Sequence, residues 1–120
     1  MPSLRIYTER SLLDNLHPDK KEDIGLMLAN TVSKSLGLDM DEIEVIWLRN
    51  FYDWQALVLS VDIEFSVGQW GVMKVINEDQ IWQLGNHVKS ALAAYQDPPW
   101  GDQKVGAWVK PISSGYFVTT

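Results

Sequence analysis

The arginines are few and unevenly placed. The only arginines, Arg5, Arg10 and Arg49, all precede residue 50. A guanidinium grips a carboxylate through paired N–H donors, so the placement of the arginines narrows where the local cationic pocket that a carboxylate ligand needs could be. Arg10 follows the first expected strand and Arg49 the second, which makes them the candidate ligand-binding arginines. Arg5 lies inside a strand and is expected to pair across a sheet. The two histidines, His17 and His87, have no His, Cys or carboxylate at metal-ligand spacing on a shared face, so no metal site is expected. No Ser-His-Asp set, phosphate loop or dinucleotide fingerprint is visible, and no cofactor is called for. Six tryptophans are many for 120 residues. Trp47 and Trp108 sit in corresponding strands and are expected in the core or at a subunit interface. Trp54, Trp70 and Trp100 fall in connections, where subunit packing is the first expectation and a wall for an aromatic or apolar substrate the second.

The elements that position these residues follow from periodicity. Leu4 to Thr8 alternates apolar and polar and reads as a strand, followed by a polar connection from Glu9 to His17. Pro18 suits the first turn of a helix, and Asp19, Glu22 and Asp23 favour its positive end. Ile24, Met27, Leu28, Val32 and Leu36 form one helical stripe, with Gly37 as its C-terminal cap. Glu42 to Leu48 reads as a second strand with Ile43, Val45 and Trp47 on one face, and Ala56 to Val67 as a third. Asn77 is an N-cap for a helix with the stripe Ile81, Leu84, Val88, Leu92 and Tyr95. The run Asp97-Pro98-Pro99-Trp100-Gly101 ends that helix. Lys104 to Pro111 reads as a fourth strand, and the tail from Ser113 to Thr120 as a short edge strand.

The expected class is α+β: two β-α-β units forming a four-stranded sheet with two helices on one face. Right-handed crossovers place both helices together. The chain forms one domain over residues 1–120, with halves of roughly 1–55 and 56–120 that repeat in structure and not in sequence. Self-association is the simplest cover for the other sheet face. The formal net charge of −6, from 10 Lys+Arg against 16 Asp+Glu, argues against nucleic acid as a partner, because phosphate binding needs a positive face. The chain has no cysteine, and its opening MPSLRIYTER lacks the layout of a signal peptide. No apolar run reaches the ~20 residues of a membrane span. A cytoplasmic protein without a membrane partner is expected.

This element order, in a chain of this length opening Met-Pro, resembles the tautomerase superfamily. That group includes the 4-oxalocrotonate tautomerases, the 5-carboxymethyl-2-hydroxymuconate isomerases and macrophage migration inhibitory factor. At residue level the likeness sits in MPSLRIYTE, in the turn Ser66-Val67-Gly68 after the third strand, and in Arg10 just after the first. The resemblance implies that Met1 is removed and that the freed amine of Pro2 is a general base, moving a proton within an enol or 2-oxo acid. An α-amino group titrates near 7.7–8.0, a suitable range for a base at neutral pH, and the proline ring fixes the direction of its nitrogen. The resemblance further implies a small-molecule substrate, no cofactor, and a homotrimer whose neighbouring strands complete each pocket. Arg10 or Arg49 would bind the acidic group, and the backbone of Ser66 and Val67 would edge the pocket.

The chain departs from the family pattern at four places. Leu38 stands where macrophage migration inhibitory factor has its pocket lysine, and Val105 and Ala107 stand where it has a tyrosine and an asparagine. Glu44 stands near the substrate arginine of the short tautomerases, where an acid repels a carboxylate. These departures support an alternative from another class: a non-catalytic oligomer of the same fold, with a structural, interaction or small-ligand-binding role.

Overall fold

The computed structural model describes residues 3–49, 57–67 and 78–113, with the backbone alone at 65–67 and 111–113. Pro2, Trp54, Trp70, the Asn77 cap, the start of the third strand at Ala56 and the strand expected in the tail beyond Ser113 lie outside the described residues.

Four strands, β1 (Ser3–Thr8), β2 (Glu44–Arg49), β3 (Leu59–Val67) and β4 (Val105–Ser113), form one sheet in the order β2-β1-β3-β4. β1 runs parallel to β2 and antiparallel to β3, and β3 runs parallel to β4. The two expected β-α-β units are therefore present, joined through an antiparallel central pair. The crossovers carry α2 (Pro18–Leu36) and α3 (Glu78–Ala94). Both pack on the same sheet face, because their apolar stripes share one cluster with Leu4, Ile6, Leu59, Val61 and Ile63. Each such fully buried aliphatic side chain contributes about 1.5–3 kcal/mol through removal from water.

Local signals place the helix ends. Pro18 opens α2, and His17 caps it, its Nδ1 accepting the Asp19 N–H at 3.2 Å. Gly37 closes α2 at φ 69°, a left-handed conformation that glycine adopts without a Cβ clash. The buried faces, Ile24, Leu28 and Val32 on α2 and Leu84, Val88 and Leu92 on α3, are those of the expected stripes.

Three local expectations are corrected. The polar connection after β1 contains a short helix, α1 (Arg10–Asn15). Its turns close through Leu13 N–H to Glu9 O at 3.0 Å and Asn15 Nδ2 to Ser11 O at 2.9 Å, local bonds that apolar periodicity does not report. β2 begins at Glu44, because Met40–Glu42 first form a single 3-10 turn closed by Ile43 N–H to Met40 O. Trp100 is a core residue: it is 6% exposed, with its ring 5.7 Å from that of Tyr95. The turn that ends α3 folds it back onto its own chain.

Candidate functional site

Strand register fixes what surrounds the start of β1. Partners directly opposite in a ladder point to the same face, so three rows of side chains cross the face away from the helices. The first row is Glu44, Ser3, Glu64 and Lys110. The second is Ile46, Arg5, Asp62 and Trp108, and the third is Leu48, Tyr7, Ser60 and Gly106. β1 is a central strand, so its first described residue, Ser3, enters the sheet between two carboxylate-bearing neighbours and not at a free edge.

Two ion pairs tie these rows diagonally. Arg5 Nη1 lies 3.6 Å from Glu64 Oε2, which bears out the cross-sheet pairing expected of Arg5. Lys110 Nζ lies 2.7 Å from Asp62 Oδ2. Asp62 is 7% exposed, so its carboxylate depends on that ammonium for compensation. A hydrogen bond to Tyr7, followed by the charge of Glu64, holds the Arg5 guanidinium above its ordinary value. The hydrogen bond to Asp62 raises Lys110 likewise, against the opposing effect of burial. The Ser3 Oγ is buried and has no hydrogen-bond partner among the described residues.

The sequence-expected site residues divide between two ends of the sheet. The backbone of Ser66 and Val67 pairs with Ile112 and Ser113, just beyond Glu64, at the Ser3 end. Arg10 begins α1 and Arg49 ends β2 opposite Thr8, at the other end. Five strand steps from Ser3 to Thr8, at ~3.3 Å each, separate the two ends. Arg49 Nη2 is held by Asp14 Oδ1 at 2.6 Å, and Arg10 is exposed. Within one chain Arg10 and Arg49 are thus not brought to the Ser3 end. Val105 and Ala107 pack toward the helices. The open-face set of Ser3, Asp62, Glu64 and Lys110 was missed from the sequence. Its signal was the polar half of the alternation in VDIE, which reads first as a solvated strand face.

An open groove of about 550 Å³ runs between α2 and the edge strand β2. Gly25, Ala29, Ile43 and Val45 line its floor, and it contains none of the expected site residues. Gly25 permits the close approach, since a Cβ there would meet Val45 Cγ1 at 3.5 Å. The Lys21 ammonium sits 5.7 Å from the Trp47 ring at its rim. Trp47 thus faces the helices, while Trp108, 62% exposed, stands on the opposite sheet face. Neither histidine lies in these sites: His17 caps α2, and His87 Nδ1 meets Ser35 Oγ at 3.0 Å between the helices. Among the described residues, no helix is long and apolar enough to cross a membrane.

No protein-family model and no curated protein matches the chain. Solved structures of similar fold do. A 5-carboxymethyl-2-hydroxymuconate delta-isomerase aligns at a TM-score of 0.67 and 13% identity, covering 100% of this chain and 88% of that one. A macrophage migration inhibitory factor-like protein from Entamoeba histolytica aligns at 0.60 and 11%, covering 97% and 95%. Pt0534, solved after inactivation by 2-oxo-3-pentynoate, aligns at 0.59 and 16%, covering 91% and 85%. The sheet order, the paired crossovers and these alignments establish that the chain adopts the tautomerase fold.

Proposed function

We propose that this protein is a cofactor-independent tautomerase or isomerase of an enol or 2-oxo acid, with the freed amine of Pro2 as its general base. The observation that carries this reading is the entry of β1 at Ser3 into the middle of the sheet, beside β2 and β3. Ser3 itself lies at the sheet end that also holds the backbone of Ser66 and Val67, which supports this reading. A base is useful only where the surrounding framework positions a substrate against it, and the central strand supports that role.

The assembly is proposed to be a homotrimer, as in a fused 4-OT of this fold described as a symmetric trimer. The uncovered sheet face, with Ile46, Leu48 and the exposed Trp108 among its charged rows, supports self-association. Arg49 is occupied by Asp14, so Arg10 of a neighbouring copy is the arginine left to approach a Pro2 site.

The test combines intact mass with proton exchange. The expected mass lacks Met1, and the protein is expected to catalyse keto–enol exchange of phenylpyruvate or 2-hydroxymuconate. Pro2→Ala should lower turnover by about 100-fold or more. A mass that retains Met1, or turnover unchanged by Pro2→Ala, eliminates the catalytic reading and leaves the non-catalytic oligomer of the same fold.

A further inference from the structure

We infer that the groove between α2 and β2 binds a small apolar amine, a function independent of the proposed role of Pro2. Its volume of about 550 Å³ lies within the ~300–1,000 Å³ of ordinary small-molecule pockets. Its walls are mainly apolar: Gly25, Leu26 and Ala29 come from α2, and Ile43, Val45 and Trp47 from β2 and the residue before it. Apolar surface left in water at such a concavity favours a ligand that covers it.

Two α2 residues at this groove serve the core poorly. Leu26 is 54% exposed. Gly25 lies inside the helix, where glycine is less stable than alanine. A methyl would fit at Gly25: its Cβ would meet Val45 Cγ1 at 3.5 Å and Trp47 Nε1 at 3.7 Å, both ordinary contacts. The glycine thus gives up helix stability and leaves room in the groove floor, beside the Val45 methyl and the Trp47 indole edge.

Charge decides which apolar ligand fits. The charged residues lining the groove are Lys21, Glu22 and Asp41. The Lys21 ammonium is already engaged by the Trp47 ring, 5.7 Å from its centroid. Glu22 and Asp41 have no ion-pair partner among the described residues. They reach the groove from different elements, α2 and the turn Met40–Glu42. An entering ammonium therefore meets two uncompensated carboxylates, and the net charge of −6 favours its approach. A carboxylate on the same apolar body meets repulsion instead. Burial of the body supplies the affinity, and the ammonium supplies the selectivity.

Three probes that share one body test this: 4-phenylbutylamine, 4-phenylbutan-1-ol and 4-phenylbutanoate. Binding to the full chain is followed by proton–nitrogen NMR on the indole N–H of Trp47, identified by its loss in Trp47→Phe. The amine is expected to bind about two- to fivefold more tightly than the alcohol, the scale of exposed ion pairs, and the carboxylate more weakly than either. Glu22→Gln combined with Asp41→Asn should bring the amine to the affinity of the alcohol. Gly25→Ala should weaken the amine about tenfold by overfilling the occupied floor, with a thermal midpoint unchanged or raised. Circular dichroism confirms that each variant is folded, and the acid variant and Gly25→Ala stand in for each other should one fail to fold. Tightest binding by the carboxylate, equal binding by amine and alcohol, a preference unmoved by the acid variant, or full affinity in Gly25→Ala overturns the inference. A Trp47 resonance that answers none of the probes up to their solubility does the same. A changed oligomer in Gly25→Ala, read by native mass spectrometry, assigns the groove to a contact between copies and overturns it as well.

Discussion

Single side chains in this protein draw their properties from one or two neighbours. Tyr95 is the clearest titrating example. Burial first, and then the hydrogen bond its hydroxyl donates to Asp23 at 2.6 Å, push its phenol up to about 12. The ammonium of Lys20 also stands 5.1 Å from its ring. Because the folded value lies above the ordinary 10.0, the native state holds this proton more tightly than the unfolded chain. The contribution to stability is complete below pH 10 and is lost as pH rises through about 12. Absorbance at ~295 nm, the usual phenolate band, should show an ionisation step near that pH, and the step should be missing from Tyr95→Phe. A profile unchanged by the substitution would place the step on another tyrosine. Asp62 is likewise defined by one neighbour, being buried and paired with the Lys110 ammonium from the next strand.

At the scale of elements, the ends of the two long helices do the specifying. α2 is bounded by Pro18 and Gly37, and both boundaries stand where the sequence puts them. α3 ends differently. Its chain turns through Pro98 and Gly101, with Gly101 N–H bonding Pro98 O at 3.1 Å, and delivers Trp100 into the core. Loop position alone marks Trp100 as an interface residue; the structure makes it a core anchor beneath Tyr95. Trp100→Ala should therefore destabilise each chain by about 3–5 kcal/mol, the usual result of emptying a large aromatic site. Urea unfolding measures this, and the loss is expected to be the same above and below the concentration at which the protein assembles. A loss seen only in the assembled form would restore the interface role.

At the scale of the whole molecule, helices cover one sheet face and leave the other open. The open face is mixed: two diagonal ion pairs, the apolar Ile46 and Leu48, and Trp108 at 62% exposure. A large exposed aromatic on such a face, here on the outer strand β4, is a typical anchor for association. Native mass spectrometry is expected to give three times the chain mass. Trp108→Glu should shift the population toward monomer with the far-ultraviolet circular dichroism unchanged, since Trp108 contributes nothing to the helix-side core. An unaltered oligomer would move the interface elsewhere.

The amino-acid sequence by itself determined the four strands, the two stripes and the helix caps of α2. Periods of two and of 3.6 residues, and the backbone preferences of proline and glycine, are local properties that survive without a partner. It also singled out Pro2, Arg10, Arg49, Ser66 and Val67, but as positions along a line. Only the tertiary structure decided that Ser66 and Val67 lie at one end of the sheet and Arg10 and Arg49 at the other. An antiparallel β1–β3 pair lays Glu64 beside Ser3, and a parallel β1–β2 pair lays Glu44 on its other side, while the same register carries Arg49 to the far end. Register is a relation between distant segments, set by how their apolar faces meet in one core. For that reason the acids around Ser3 were not legible in the chain, and the pairing of Arg49 with Asp14 was not either.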